Sequence, residues 1–403
     1  MTTWRRTLHR NPELGFEEYE TAAFVAERLR EWGIETHTGI GGTGVVGVVH
    51  GAQGPGRNLG LRADMDALPM QEQTGLPYQS VRPNRFHGCG HDGHTAILLG
   101  VARHFASDRD FRGTLNLIFQ PAEETLRGGS TMIQDGLFER FPCDELYGLH
   151  NHPPLEPGRV GVRNGATLSA CDLFRIRIHG VGGHAASPHR TVDPVVVGSA
   201  LVQSLQTIVS RSVDPLQTAV VSVCQFHAGT AINVIAGEAV LEGTVRTLDH
   251  GVQAEILKRL KEICAGAGQA HRCRIEFEHL QTSPATINNA EQAQVVREAA
   301  LAVVGQDGLE PDIPPLMASE DFAYMLQEKP GCYFFLGNGG HMCHHPEFDF
   351  NDEVLPVGMS MMIEIARRRL VTAVPLSWTS GRHDKRGQRW WGRKTKPPAG
   401  IPV

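Results

Sequence analysis

The sequence predicts an α/β fold: a mixed sheet with a smaller α+β unit set into it. Three observations lead there. Short apolar runs alternate with a helical pattern over the first 150 residues. From about residue 171 the order changes to β-α-β-β-α-β, the split βαβ, ferredoxin-like pattern. After Pro284 the first texture returns and runs to residue 370. The expected boundaries are 1–170 and 283–371 for the larger unit, 171–282 for the inserted one, and 372–403 for a basic, disordered tail.

Residues 17–32 read as an amphipathic helix, with Ala22, Val25, Leu29 and Trp32 on one face and Gly33 as its stop. Apolar runs at 45–49, 58–62, 114–120 and 146–149 read as strands, with a helical pattern at 94–106 between the second and third. That alternation predicts a sheet at least partly parallel, in which active sites form where loops leave the carboxyl ends of strands. Polar residues gather there: Asp64-Met65-Asp66, Glu123-Glu124, and His150-Asn151-His152. In the inserted stretch, 173–179, 218–226, 238–247 and 273–278 read as strands, and 192–212 and 252–267 as helices. No internal repeat or low-complexity segment is evident.

Composition excludes several classes. With 41% hydrophobic and 20% charged residues, the chain is neither disordered nor collagen nor coiled coil. No stretch approaches the roughly 18 consecutive apolar residues of a membrane span. The start, Met1 to Arg6, has no apolar run behind its arginines, so no signal peptide is expected. The expectation is a soluble, cytoplasmic protein with no membrane partner. The net charge of −6 is uneven: residues 378–403 hold seven Lys or Arg and one Asp. The acidic body argues against nucleic acid as a partner. Eight cysteines, scattered through 403 residues, read as reduced thiols.

The densest constellation is His87-Gly88-Cys89-Gly90-His91-Asp92-Gly93-His94. The glycine between Cys89 and His91 lets both approach one centre. Thiolate and imidazole together favour zinc or another late divalent metal. Glu124 and His150, from two other strand ends, could complete a site, and 341–346 (His-Met-Cys-His-His-Pro) offers one more ligand. The bland alternative is a turn with a buried thiol. The tandem Glu123-Glu124 suits a metal hydrolase, with one carboxylate on the metal and the other free to take a proton from water. The bland alternative there is an exposed acidic helix start.

Several segments carry a resemblance. Residues 8–15 (LHRNPELG), 61–69 (LRADMDALP), 87–94 and 119–124 (FQPAEE) resemble the dinuclear zinc amidohydrolases of the aminoacylase–carboxypeptidase type. The match is to the branch containing hippurate hydrolase and auxin-conjugate hydrolases. Residues 182–189 (GGHAASPH), 229–235 (GTAINVI), 243–246 (GTVR) and 319–322 (SEDF) extend it, so it runs from about residue 4 to 370.

The resemblance implies a mixed-sheet zinc-peptidase catalytic domain with an inserted ferredoxin-like lid and dimerisation domain. It implies two divalent metals per subunit, Zn or Mn, Co or Ni, with Cys89 bridging them and His91, Glu124, His150 and His344 as the other ligands. Choosing His344 over His345 rests on the family register, in which the ligand lies two residues before the proline. Glu123 would be the general base and then proton donor. Asp66 would support a ligand from behind. His184 would reach the partner subunit's active site and stabilise the oxyanion. Asn233 and Arg246 would hold the substrate carboxylate; a turn cap for Asn233 and an ordinary ion pair for Arg246 stay open. His152 reads as a surface histidine.

The implied activity is hydrolysis of N-acyl or N-aroyl amino acids to a carboxylic acid and a free amino acid, by a homodimer. Alternatives are a dipeptidase or carboxypeptidase of the same fold, a non-catalytic ligand-binding relative, and a hydrolase using Cys89 as nucleophile.

Overall fold

The computed structural model describes residues 1–370; the basic tail expected at 372–403 lies outside the described residues. Four strands form a parallel core: Thr114–Gln120, Asn58–Asp64, Glu145–His152 and Gly331–Gly337, side by side in that order. Gly44–His50 joins antiparallel on one flank and carries Glu35–Ile40 antiparallel beyond it. On the other flank Val160–Gly161 pairs antiparallel with Gly331–Gly337 and parallel with Leu309–Glu310. The result is one eight-stranded mixed sheet.

The central strands are buried on both faces, which explains why they read as continuous apolar runs rather than alternating ones. Leu61, Leu117, Phe119 and Phe334 are wholly buried, and each contributes roughly 1.5–3 kcal/mol on removal from water. Helix His91–Ser107 packs into the same core through Ala96, Leu99 and Val101.

Among the elements that the sequence reading left unassigned, two are hidden for a physical reason. Strand Glu35–Ile40 is an edge with mostly polar side chains, so nothing in it alternates. Helix Thr2–Arg10 turns Arg5 and His9 inward beside Leu8, which hides its apolar period. Both buried groups are paired: Arg5 with Asp349 and Asp352, each at 2.8 Å, and His9 with Asp92 at 2.9 Å.

Residues 170–283 form a second, wholly antiparallel sheet, with strands Ala219–Ala228, Glu238–Thr247, Ala170–His179 and Arg274–Ser283 in spatial order. Helices Pro194–Thr207 and His250–His271 pack on it around a core of their own that includes Ile176, Leu201, Leu241 and Leu260. The longer helix begins on an Asp249 cap that accepts from Val252 N. Strand Ala219–Ala228 is a sheet edge, and its last residues are exposed. A two-stranded ribbon, Gly183–His184 with Val234–Ile235, stands apart from this sheet. Among the described residues no helix is long and apolar enough to cross a membrane.

Because the four core strands are parallel, their carboxyl ends share one edge of the sheet. Asp64, Gln120 and His152 all fall there. Gly90 then turns the chain into helix His91–Ser107 with φ +94°, a left-handed conformation costly to residues with a Cβ. A methyl group on Gly90 would lie 2.2 Å from Asn151 Oδ1. Gly75 is also left-handed, at φ +67°, but has nothing within 4 Å. Gly75→Ala should therefore cost only the backbone term, roughly 1–2 kcal/mol. Gly90→Ala should cost clearly more, measured as the larger fall in Tm. Equal losses would mean that the contact with Asn151 does not constrain the turn.

Candidate metal centre and active site

Cys89 and His91 flank the Gly90 turn, and both are buried. Cys89 Sγ lies 3.4 Å from His150 Nε2. His91 is oriented from behind: its Nδ1 contacts Asp66 through the backbone oxygen at 3.0 Å and Oδ1 at 3.2 Å. Its free edge points forward, with Nε2 4.0 Å from both Glu123 Oε2 and Glu124 Oε1. His344 Nε2 lies 3.5 Å from Glu124 Oε1. His345 instead stacks on His341, with ring centroids 4.3 Å apart, so His344 is the histidine that faces the centre.

The two glutamates sit on a 3₁₀ turn, Glu123–Thr125, directly after strand Thr114–Gln120. Ala122 and Leu126 bracket it in the left-handed region at φ 53° and 55°. Asp66 Oδ2 accepts from Glu124 N at 3.0 Å, so one carboxyl group orients both His91 and this turn. Strand geometry explains the next pair. Side chains alternate along Glu145–His152, so His150 and His152 share a face and Asn151 takes the other. Asn151 Oδ1 meets His94 Nε2 at 2.7 Å, and His94 Nδ1 meets Asp64 Oδ1 at 2.6 Å.

Of these groups, Cys89, Glu123, Glu124, His150, Asn151 and His344 line a cavity of about 830 Å³. Arg246 reaches the same cavity from the second sheet, its Nη1 donating to Ser319 Oγ. His152 also lines it, packed on Phe335 with ring centroids 5.2 Å apart, which corrects the surface position expected for it. His184 and Asn233 are brought close to each other but not to this cavity. Ala185 N donates to Asn233 O at 3.1 Å on the exposed ribbon, and neither residue is in the cavity wall.

Glu320 and Tyr333 line the cavity as well and were not singled out from sequence. They belong to a buried cluster around Arg62, whose guanidinium lies 2.7 Å from Asp64, 2.8 Å from Glu320 and 3.3 Å from Asp321. The Tyr333 hydroxyl donates to Glu320. Glu320 lies within the 319–322 motif, which was the available signal.

Electrostatically, the centre has more carboxylate than it can neutralise. Burial, then the charges of Glu320 and Glu124, push Glu123 well above the usual carboxylate range. Burial opposes the charged form of His91, but Asp64, Asp66 and Glu124 outweigh it and hold its pKa high. The hydrogen bond with Cys343, together with burial, raises the Cys89 thiol.

His91 Nε2 and Glu124 Oε1 are buried and make no hydrogen bond. Buried polar atoms are rarely left so, which marks them as groups awaiting a ligand. The donor atoms here form several overlapping sets lying within 4.8 Å of one another, among them Cys89, His91 and His150; Cys89, Glu124 and His344; and His91, Glu123 and Glu124. Thiolate, imidazole and carboxylate together suit a late divalent cation. The residues present therefore fit a metal group.

Comparison with known proteins agrees with this architecture. Residues 60–368 match the profile of Peptidase family M20/M25/M40. Hippurate hydrolase of Campylobacter jejuni is 42% identical over 367 residues, covering 91% of this chain and 95% of that protein. N-acetyl-L-cysteine deacetylase of Bacillus subtilis is 39% identical over 373 residues, covering 91% and 87%. Among solved structures, the dinuclear metal-binding M20 peptidase YXEP of Bacillus subtilis superposes with a TM-score of 0.80 at 32% identity, over 91% of this chain and 96% of that one. The family match spans most of the sequence, and the chain belongs to Peptidase family M20/M25/M40.

Proposed function

We propose that this protein is a metal-dependent amidohydrolase that cleaves the amide of N-acyl or N-aroyl amino acids, releasing a carboxylic acid and a free amino acid. The observation that carries the reading is Cys89, which belongs to two donor sets at once, beside an acidic residue that belongs to the same pocket. Relatives named as a hippurate hydrolase and an N-acetyl-L-cysteine deacetylase support the reaction class.

Two divalent cations, Zn or else Mn, Co or Ni, would be held by Cys89, His91, Glu124, His150 and His344, with Cys89 common to both. Bound there, they supply Lewis acidity toward the amide carbonyl and toward water. Glu123 takes the proton from the attacking water and passes it to the leaving amine nitrogen. Asp66 keeps His91 and the Glu124 turn in place. Arg246 receives the substrate carboxylate together with the partner's Asn233, and the hydrocarbon wall formed by Leu168, Ile313, Leu316 and Phe335 takes the acyl group. That wall suits an uncharged acyl group better than the ammonium of a dipeptide, which favours the amidohydrolase over the dipeptidase reading. Eight cysteines, all free, suit a reducing, cytoplasmic setting.

The layer over 171–282 acts as lid and dimerisation domain in this reading. Its edge strand Ala219–Ala228 leaves a row of backbone groups unpaired, a template for a second copy. His184 and Asn233, exposed on their ribbon, would then serve the partner's cavity, His184 as a donor to the oxyanion.

Two experiments test this. Glu123→Gln should keep its metal and lose hippurate hydrolysis by about 10²–10⁴-fold. Glu124→Gln should lose metal affinity. Identical metal contents in the two variants would refute the division of roles. The shared site is tested by mixing subunits. Homodimers of His184→Ala and of Glu123→Gln should each be nearly inactive. In a mixed dimer one intact Glu123 meets one intact His184, so random exchange should restore about a quarter of wild-type activity. No recovery, with subunit exchange verified by mass, would refute the shared site and leave His184 acting within its own chain.

A further inference from the structure

The turn that carries Glu123 and Glu124 is held from two sides by two different carboxyl groups. Asp66 Oδ2 accepts from Glu124 N at 3.0 Å. On the other side, Glu18 Oε1 accepts from Ala122 N at 2.8 Å, across 104 residues of sequence. Glu18 is wholly buried, and its second oxygen accepts from the Thr43 hydroxyl. Two donors thus converge on one carboxyl group that does not line the cavity.

The surrounding chain is built to bring Glu18 there. Leu14 bridges to Ala67, and Ala67 N donates to Glu13 O at 2.8 Å, so the segment lies along the loop that bears Asp66. A methyl group on Gly15 would come within 3.0 Å of Ala122 Cα and Cβ and of Thr125 Cγ2. Residues 13–18 therefore lie directly on the glutamate turn, with no room for a side chain at the closest point. The turn itself needs such support. Ala122 is a non-glycine residue in the left-handed region, a conformation that persists only when neighbours over-determine it.

We propose that Glu18 is a positioning residue for Glu123. By fixing the amide immediately before Glu123, it aims that carboxyl group into the cavity, while Asp66 independently fixes Glu124. The proposal rests on the reading of Glu123 as general base. It gives the amino-terminal 8–15 motif and the helix entry behind it a place in catalysis, though they contribute no group to the cavity.

The test compares Glu18→Ala, Glu18→Gln and Thr43→Val, with Glu123→Gln as control, on the metal-loaded dimer and hippurate. Glu18→Ala should lower kcat by about 10–100-fold, as expected for a misplaced reacting group. KM should stay within about 2-fold, and metal content should not change, because Asp66 still holds Glu124. The amide of residue 122 should exchange its hydrogen faster. Glu18→Gln should recover most of kcat and the slow exchange, since its amide oxygen still accepts from Ala122 N. Thr43→Val keeps the Ala122 bond and loses one support, so it should show the same pattern with a smaller loss, about 2–10-fold.

If Glu18→Ala does not fold, Thr43→Val carries the test. Unchanged kcat in either variant, or a loss of metal and a rise in KM in step with kcat, would overturn the proposal. Full activity in Glu123→Gln would instead overturn the assignment of the base, and the exchange rate at residue 122 would still report whether Glu18 holds the turn.

Discussion

Asp64, Asp66, Glu123 and Glu124 are drawn to one buried edge of the sheet, and the cations there do not match them. Arg62 answers Asp64 together with Glu320 and Asp321, and His344 lies beside Glu124, which leaves Asp66 and Glu123 to His91. Burying an uncompensated carboxylate costs several kcal/mol even after relaxation. Set beside a buried imidazole nitrogen with no hydrogen bond, these carboxyl groups form a donor set suited to a cation. Metal binding to such a site is also folding free energy, so the layers behind the ligands are coupled to occupancy.

Those layers explain why so much polar chemistry lies inside the catalytic half. His91 begins a helix whose next residue, Asp92, holds His9 at 2.9 Å. That contact ties helix Thr2–Arg10 to the start of the helix bearing His91, and Arg5 extends the tie to Asp349 and Asp352. Burial works against the charge on His9, yet Asp92 and Glu72 hold its pKa up to about 9. On the far side Asp64, fixed by Arg62, fixes His94, which fixes Asn151, the residue beside His150. His91 and Asn151 thus rest on partners that are themselves paired, which limits how far this wall of the cavity can shift.

Much of this was legible in the sequence for identifiable reasons. Strands buried on both faces announce themselves as apolar runs, and a parallel sheet dictates that the polar residues after them converge. Asp66, Glu123, Glu124 and His150 follow from that alone. His152 was readable too, because a period of two puts it on the face of His150. Strand Glu35–Ile40 and helix Thr2–Arg10 were not, since one is a polar edge and the other turns charged groups inward. The position of Arg246 in the cavity wall came only through resemblance, as spacing cannot say where the second sheet meets the first. Glu18 left no local signal because its meaning lies in an amide 104 residues away.

The account depends most on Cys89 being shared by two cations. Anomalous diffraction from crystals of the zinc-loaded protein, recorded at the zinc edge, measures this directly. The account predicts two peaks per chain, each about 2.3 Å from Cys89 Sγ, one beside His91 and His150 and the other beside Glu124 and His344. A single peak, or two peaks of which only one touches Cys89, would contradict it.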